Sequence, residues 1–200
     1  MRKLENWEIM IKRLVNLLSS SVNFGFIYVL GKIFGVSIIV RYLRNPNPQI
    51  TVKLLRAFGA SIGQGTNFKR SVILDNVYED EDSAGDFRHL KIGDNCYIGD
   101  YVYFDLSHEI ILGNNVVVSG QVSFISHADC NRSEYLSEKF TRVCQPVQVN
   151  DGAWICFRAT ILSGVTVGEN AMVGACSLLR ENIKDHILYA GVPAKKIKDI

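Results

Sequence analysis

The chain has 200 residues, of which 48% are hydrophobic, and this is enough for one domain with a well-buried core. Its formal net charge is only +2 and no basic run with interleaved aromatic residues is present, so we expect no nucleic-acid partner. The five cysteines are odd in number and form no CxxC pair, which favours a reducing compartment, and we expect a cytoplasmic protein.

The first part of the chain, residues 1–60, is an apolar segment that we expect to be helical. Between Leu14 and Val40 the only charged residue is Lys32, and the uncharged residues 14–31 reach the minimum length of a membrane-spanning helix but are diluted by polar side chains. Basic residues on both sides would suit a helix lying on an anionic membrane. Three alternatives therefore remain: a membrane span, peripheral membrane contact through residues 14–40, and helices packed against the following domain or another subunit.

A repeat of six residues dominates the second half of the chain. Large aliphatic residues recur at this interval at Val149, Ile155, Ile161, Val167, Val173 and Leu179. This period matches neither a helix nor an ordinary strand and predicts an all-β solenoid, a parallel β-helix. The same interval joins residues 92, 98 and 104 and residues 112, 118 and 124, and a weaker copy begins at Ile62. We predict about five coils between residues 62 and 179, with Gly164, Gly168 and Gly174 at positions where the backbone is crowded or turns.

Two segments interrupt the repeat. Residues 76–86 are acidic, and we expect a solvated, exposed loop there, with a cation site as the less favoured alternative. Residues 127–146 form a longer polar excursion after the third or fourth coil, where binding groups are commonly presented. His127 stands where this loop begins and is the candidate general base. Asp105, Glu109 and Asp129 are the carboxylates that could orient it, although a backbone carbonyl could do the same.

Several motifs resemble those of the hexapeptide-repeat acyltransferases. They are Val-Asn-Asp-Gly-Ala-Trp-Ile at residues 149–155, Gly-Val at 164–165 and Ala-Gly-Val-Pro-Ala at 190–194. The chain is most similar to the galactoside and maltose O-acetyltransferase branch, which includes enzymes that acetylate bacterial surface polysaccharides. The resemblance covers about residues 62–198. It implies a left-handed β-helix, a homotrimer with active sites between subunits, acetyl-CoA as donor and no requirement for a metal.

The resemblance also implies roles for individual residues. His127 occupies the position of the family's base, and Trp154 falls on a tryptophan near the acceptor and the pantetheine arm. The remaining donor contacts that it implies are Phe157, Ala175, Arg180, Lys195 and Lys198. Loop residues and one coil residue are candidate substrate contacts: Asp105, Asp129, Asn131, Arg132, Glu134 and Tyr135. Cys156 stands where the family usually has glycine, and we do not expect it to act as a nucleophile.

These observations predict direct transfer of an acetyl group from acetyl-CoA to a hydroxyl of a sugar or surface-polysaccharide precursor, without an acyl-enzyme. The alternatives are N-acetylation of an amino sugar, a non-catalytic scaffold, and a metal-dependent hydratase similar to γ-type carbonic anhydrases. The last needs clustered histidines, and the four here, at 89, 108, 127 and 186, offer no close pair in sequence. We expect residues 61–181 to form the acyltransferase domain, followed by a C-terminal extension, residues 182–200, with a short helix.

Overall fold

The computed structural model describes residues 20–200, and its N-terminal part is helical. Residues 20–34 form α1, which is followed by α2 (Val36–Leu43) and α3 (Pro48–Ala57). Asn47 caps α3, because its side chain accepts a hydrogen bond of 3.0 Å from the Gln49 amide. The described part of the predicted helical segment therefore consists mainly of three helices, whereas residues 1–19 lie outside the described part. None of the described helices is both long and apolar enough to cross a membrane.

Short strands follow the helices in sets of three. The first three sets are β1 (Ser61–Ile62), β2 (Asn67–Phe68), β3 (Val72–Asp75), β4 (Leu90–Ile92), β5 (Tyr97–Ile98), β6 (Val102–Asp105), β7 (Ile110–Leu112), β8 (Val117–Val118) and β9 (Ser123–Phe124). The excursion contains β10 (His127–Ala128), α4 (Glu134–Ser137) and β11 (Val143–Cys144). The last two sets are β12 (Val147–Val149), β13 (Trp154–Ile155), β14 (Thr160–Ile161), β15 (Thr166–Val167), β16 (Met172–Val173) and β17 (Leu178–Leu179), and the chain ends with β18 (Ile187–Gly191) and β19 (Ala194–Asp199).

Each set contributes one strand to each of three sheets, which confirms the predicted parallel β-helix. The sheet orders are β1-β4-β7-β12-β15, β2-β5-β8-β13-β16-β18-β19 and β3-β6-β9-β14-β17. Residues one coil apart lie opposite each other, as Leu112, Val149 and Val167 do, and their side chains are buried in the same layer of the core. The repeat of six therefore marks the residues that fill the interior of the solenoid.

The backbone at the corners explains which small and polar residues the repeat needs. Asn95, Asn115 and Asn170 adopt positive φ angles between 52° and 56°, a conformation that asparagine tolerates better than most residues. Gly164 has φ of 77°. Gly168 is required for a different reason, because a Cβ atom there would lie 2.4 Å from the carbonyl carbon of Lys184 in the next coil. The backbones of corners in adjacent coils therefore lie too close together to admit a Cβ atom at this position.

The predicted C-terminal helix is wrong, because residues 187–199 form a β-hairpin. β18 pairs in parallel with β16, and β19 returns antiparallel to β18. This arrangement satisfies backbone groups at the edge of β16 that a helix would leave unpaired. The Gly191 amide also donates to Ser177 Oγ at 2.9 Å, which ties the hairpin turn to the last complete coil.

Candidate active site

His127 lies at the point where the solenoid wall gives way to the loop. Ser126, which precedes it, is fully buried, and its Oγ donates to the Asp105 carbonyl at 2.8 Å. The Nδ1 atom of His127 lies 2.6 Å from Asp105 Oδ2 and 3.1 Å from Ser107 Oγ. Its Nε2 atom makes no hydrogen bond to another described residue, and the side chain is 22% exposed. The ring is thus fixed through Nδ1, while Nε2 stays available to a ligand.

Asp105 is a buried carboxylate that is surrounded by donors. Oδ1 accepts from Asn76 Nδ2 at 2.9 Å and from the amide and hydroxyl of Ser107, and Oδ2 accepts from the amides of Ser126 and His127. Burial raises the pKa of this carboxyl, but the hydrogen bonds from Asn76, His127 and the backbone outweigh burial and hold the pKa below its usual value of 3.8. Asp105 is therefore ionised at neutral pH.

This geometry fixes the tautomer of His127. An ionised Asp105 accepts a hydrogen bond from Nδ1–H, which leaves the lone pair of a neutral imidazole on Nε2. The pair can therefore accept a proton from a group placed at Nε2 and can stabilise the imidazolium that forms. The prediction that Asp105 contacts substrate is wrong, because its side chain is 1% exposed and lies behind the imidazole. Its predicted alternative role, orienting the base, agrees with the hydrogen bond to Nδ1.

A second polar cluster lies beside His127 and is organised by Arg142. Its guanidinium bonds Asp80 at 2.5 Å, Glu81 at 3.1 Å, Asp82 at 2.9 Å and Asp129 at 2.6 Å. Hydrogen bonding to Asp80 is the main reason that the pKa of Arg142 is raised. Glu81 and Asp82 are exposed, as expected for the acidic loop, but Arg142 joins this part of residues 76–86 to the loop after His127.

In the described part of the chain, one group of acidic, histidine and cysteine residues is close enough to share an ion. It consists of Asp80, His127 and Asp129, with one ligand atom of each within 4.8 Å of the others. Both carboxylates already bond Arg142, so the cation that this group holds is a guanidinium. His89 and His108, far apart in sequence, stack with ring centroids 6.0 Å apart, and the Nδ1 atom of each bonds a main-chain group.

The loop forms a pocket next to this cluster. Its volume is about 290 Å³, and it is lined by Ala128, Asp129, Cys130, Leu136, Phe140, Thr141 and Val143. Of the predicted substrate contacts, Asp129 lines this pocket and also approaches His127. Asn131 and Arg132 line a more open neighbouring pocket, whereas Tyr135 is exposed and lines neither. The structure therefore brings Asp129 to the base and leaves Tyr135 apart from it.

Two of the predicted donor contacts, Trp154 and Lys198, lie in the same sheet of the solenoid. Trp154 is 46% exposed, and its Nε1 donates to Ser119 Oγ at 3.2 Å. The residues paired with it in turn on the neighbouring strands of the sheet are Met172, Leu188 and, on β19, Lys198. The adjacent corner brings Phe157 and Ala175 together, because the Cys176 amide, which follows Ala175, donates to the Phe157 carbonyl at 2.9 Å.

Of the remaining predicted donor residues, Lys195 lies in β19 of the C-terminal hairpin and Arg180 directly follows β17. Arg180 is exposed, and Lys195 pairs with the neighbouring Glu181 at 3.8 Å. Cys156 is buried, and burial raises the pKa of its thiol, which disfavours the thiolate that a nucleophile needs.

Sequence reasoning missed four residues that build the site: Asn76, Asp80, Ser107 and Arg142. Ser107 lies twenty residues before His127, close to one coil, so the repeat could have found it. No comparable signal joins Asp80 to Arg142, because two irregular loops bring them together across 62 residues.

The comparisons with known proteins agree with this fold. No protein-family model matches the chain. Over 158 residues it is 28% identical to the protein named colanic acid biosynthesis acetyltransferase WcaF from Escherichia coli (strain K12), with 76% of this chain and 79% of that one covered. It is also 28% identical over 120 residues to galactoside O-acetyltransferase of the same organism, with 56% and 58% covered.

A solved structure is similar as well. It is a hexapeptide-repeat acetyltransferase from Vibrio cholerae O1 biovar eltor complexed with acetyl coenzyme A. Its TM-score is 0.67 at 18% identity, and the match covers 82% of this chain and 84% of that one. The sequence relatives confirm the resemblance found in the motifs, and the structural likeness confirms the fold.

Proposed function

We propose that this chain, a hexapeptide-repeat acyltransferase of the galactoside and polysaccharide O-acetyltransferase branch, transfers an acetyl group from acetyl-CoA to a sugar hydroxyl. The acceptor is a sugar or a surface-polysaccharide precursor. The observation that carries the proposal is the His127–Asp105 pair, in which Asp105 holds Nδ1 and leaves Nε2 without a partner among the described residues, at the start of a polar loop. The donor is supported by the acetyl-CoA complex of the Vibrio cholerae protein, and the acceptor class by the names of the Escherichia coli relatives.

The proposed reaction is a direct transfer with His127 as base. The acceptor oxygen attacks the thioester carbonyl carbon while its proton moves to Nε2, and Asp105 stabilises the resulting imidazolium. The tetrahedral intermediate then collapses with cleavage of the carbon–sulfur bond. The CoA sulfur leaves with the proton from Nε2, which restores the neutral imidazole. Neither an acyl-enzyme nor a metal is part of this route.

We place the donor along the side of the solenoid that carries Trp154. Phe157 and Ala175 would meet the pantetheine arm, and the cationic side chains of Arg180, Lys195 and Lys198 would meet the phosphates. Exposed apolar residues at register positions on the same sheet, Tyr97 and Val117, support a homotrimer in which this face meets a neighbouring subunit. Light scattering during gel filtration tests the trimer, and a monomer would contradict it.

We also propose that the acyltransferase domain, residues 61–181, forms a left-handed solenoid in the cytoplasm, with α1 contacting the membrane surface. Residues on one face of α1 are more than half exposed at helical spacing: Val22, Phe26, Val29 and Ile33. Neighbouring residues on its other side, Phe24 and Tyr28, pack against the core. The proposed contact spans residues 14–40, of which 14–19 lie outside the described part.

Vesicle flotation tests the membrane contact. The full chain should float with vesicles of phosphatidylglycerol and phosphatidylcholine, and the double variant Phe26→Asp, Ile33→Asp should remain in the soluble fraction. Tyr135→Asp, which changes an exposed residue outside α1, is the matched control. Equal flotation of the α1 variant and the wild type would refute this contact.

A panel of neutral glycosides and amino sugars, incubated with enzyme and acetyl-CoA, tests the activity itself. Free thiol release and product mass should show an ester on a sugar hydroxyl. An amide product would support N-acetylation instead, and absence of acetyl transfer with every acceptor would favour a scaffold role. The variant His127→Ala should lower turnover at least about a hundredfold with the KM for acetyl-CoA nearly unchanged.

A further inference from the structure

The Arg142 cluster lies beside the proposed base and joins two loops there. Arg142 is 15% exposed, and its guanidinium bonds two chain segments that flank His127. One is the acidic loop, which it bonds through Asp80. The other is the loop after the base, which it bonds through Asp129. A planar guanidinium with several donors can hold several carboxylates at fixed positions, which a flexible ammonium group does less well. The position of both carboxylates beside His127 therefore depends on Arg142.

Asp80 and Asp129 can each accept a further hydrogen bond from a ligand. Oδ1 of Asp80 accepts from Arg142 and from the Asp82 amide, whereas Oδ2 makes no hydrogen bond to another described residue. Asp129 bonds Arg142 through Oδ2, and its Oδ1 has a single long contact of 3.4 Å with the Asn131 amide. Each carboxylate also has an oxygen within 4.8 Å of a His127 ring nitrogen. Carboxylates this close to the base can accept a hydrogen bond from a hydroxyl next to the one that reacts.

The charge of the cluster restricts which acceptor fits. Four carboxylates face one guanidinium, and in the described part of the chain no other cation pairs with them. Burial raises the pKa of Asp80, but hydrogen bonds, first of all from Arg142, outweigh burial and lower the pKa, and a hydrogen bond from Arg142 also lowers the pKa of Asp82. The cluster is therefore anionic at neutral pH. An acceptor with its own carboxylate or phosphate near the reacting hydroxyl would meet like charge, which is unfavourable.

We infer that Arg142 is a positioning residue for the acceptor: it holds Asp80 and Asp129 beside His127, where they bind a second hydroxyl of an uncharged sugar and disfavour an acidic one. This inference rests on the proposed acetyl transfer. It adds Asp80, from the acidic loop between β3 and β4, to the acceptor side of the site, and it predicts an acceptor without a negative charge beside the reacting hydroxyl.

The test compares a neutral sugar with its acidic counterpart. The neutral hexoside with the highest thiol release in the panel and its C6-oxidised uronate are assayed with the wild type. The neutral sugar should have a kcat/KM at least about tenfold higher, and the difference should shrink in about 0.5 M NaCl, which screens exposed charges. Asp80→Asn and Asp129→Asn should each reduce the difference at least about threefold. Asp86→Asn removes the same charge from a carboxylate that bonds Arg88 instead, and it should not.

Arg142→Met tests positioning. It should raise the KM for the sugar at least about tenfold while the KM for acetyl-CoA stays within about twofold, and Arg142→Lys should restore the sugar KM only in part. Arg88→Met is the matched control and should leave both KM values unchanged. Should Arg142→Met fail to fold, the two asparagine variants still decide the matter. Equal rates on the neutral and acidic sugars, or an unchanged preference in Asp80→Asn, overturn the inference alone, whereas absence of transfer to every sugar overturns the proposed function.

Discussion

Replacing Asp105 with asparagine is expected to lower kcat by about 10²- to 10⁴-fold with the size of the side chain unchanged. The physical reason is the tautomer of His127. If the new amide nitrogen faces Nδ1, it donates there and moves the imidazole proton to Nε2, where the acceptor hydroxyl needs a lone pair. If it instead takes the place of Oδ1, it meets the amide and hydroxyl of Ser107 and the side-chain nitrogen of Asn76.

The stability change follows from the same contacts. Either orientation leaves at least two donors without an acceptor, and each unsatisfied buried group costs about 1–3 kcal/mol. The free energy of unfolding should therefore fall by about 2–6 kcal/mol, and, at about 2–4 °C per kcal/mol for a chain of this length, the thermal midpoint should fall by about 4–24 °C. Ionised Asp105 satisfies all of these donors, which is why its loss affects both activity and stability.

The measurement combines steady-state kinetics with thermal unfolding of the same preparations. Asp75→Asn is the matched control, because Asp75 lies opposite Asp105 one coil away and accepts a hydrogen bond of 2.5 Å from Tyr103. It should leave kcat within about threefold of the wild type. Unchanged kcat in Asp105→Asn, with a normal thermal midpoint, would refute the reasoning about the tautomer.

Three further expectations concern stability. The folded pKa of Asp105 lies below its usual 3.8. The stability that its charged form contributes to the fold is therefore fully present above 3.8 and is lost as pH falls through the folded pKa. Below about pH 4 the thermal midpoint of the wild type should fall more steeply than that of Asp105→Asn. Phe104→Ala should cost about 3–5 kcal/mol in denaturant unfolding, because this ring is fully buried, whereas Phe34→Ala, at an exposed ring, should cost less than about 0.5 kcal/mol. Gly168→Ala should cost about 1–3 kcal/mol because its Cβ would contact the next coil, whereas Gly25→Ala, in open helical space, should stabilise by about 0.5–1 kcal/mol; similar midpoints for the two glycine variants would contradict the stacking of the corners.

The sequence predicts the regular part of this molecule because repetition makes each coil a copy of its neighbour. Leu112, Val149 and Val167 occupy equivalent interior positions, so their spacing reports the fold directly. The C-terminal helix was predicted wrongly because residues 187–199 take their structure from the sheet edge beside them, which local sequence does not reveal.

The candidate site also contains residues that the sequence identifies and residues that it does not. His127 could be identified because it stands where the repeat stops, and its neighbour Asp105 is close to one coil earlier in the chain. Arg142 could not, since its partners lie on two irregular loops whose approach depends on tertiary packing. The acidic stretch was judged from its composition as solvated, although much of its charge is bound by that one side chain.

The pH dependence of acetyl transfer by the wild type and His127→Ala, measured by thiol release and product mass with the best sugar of the panel, tests the central claim most directly. We expect kcat of the wild type to rise with pH and then to reach a plateau, because a general base must be unprotonated to accept the proton of the acceptor hydroxyl. His127→Ala should be at least about a hundredfold slower on that plateau and should lack this transition. Wild-type turnover with the same pH profile in His127→Ala would contradict the assignment of the base.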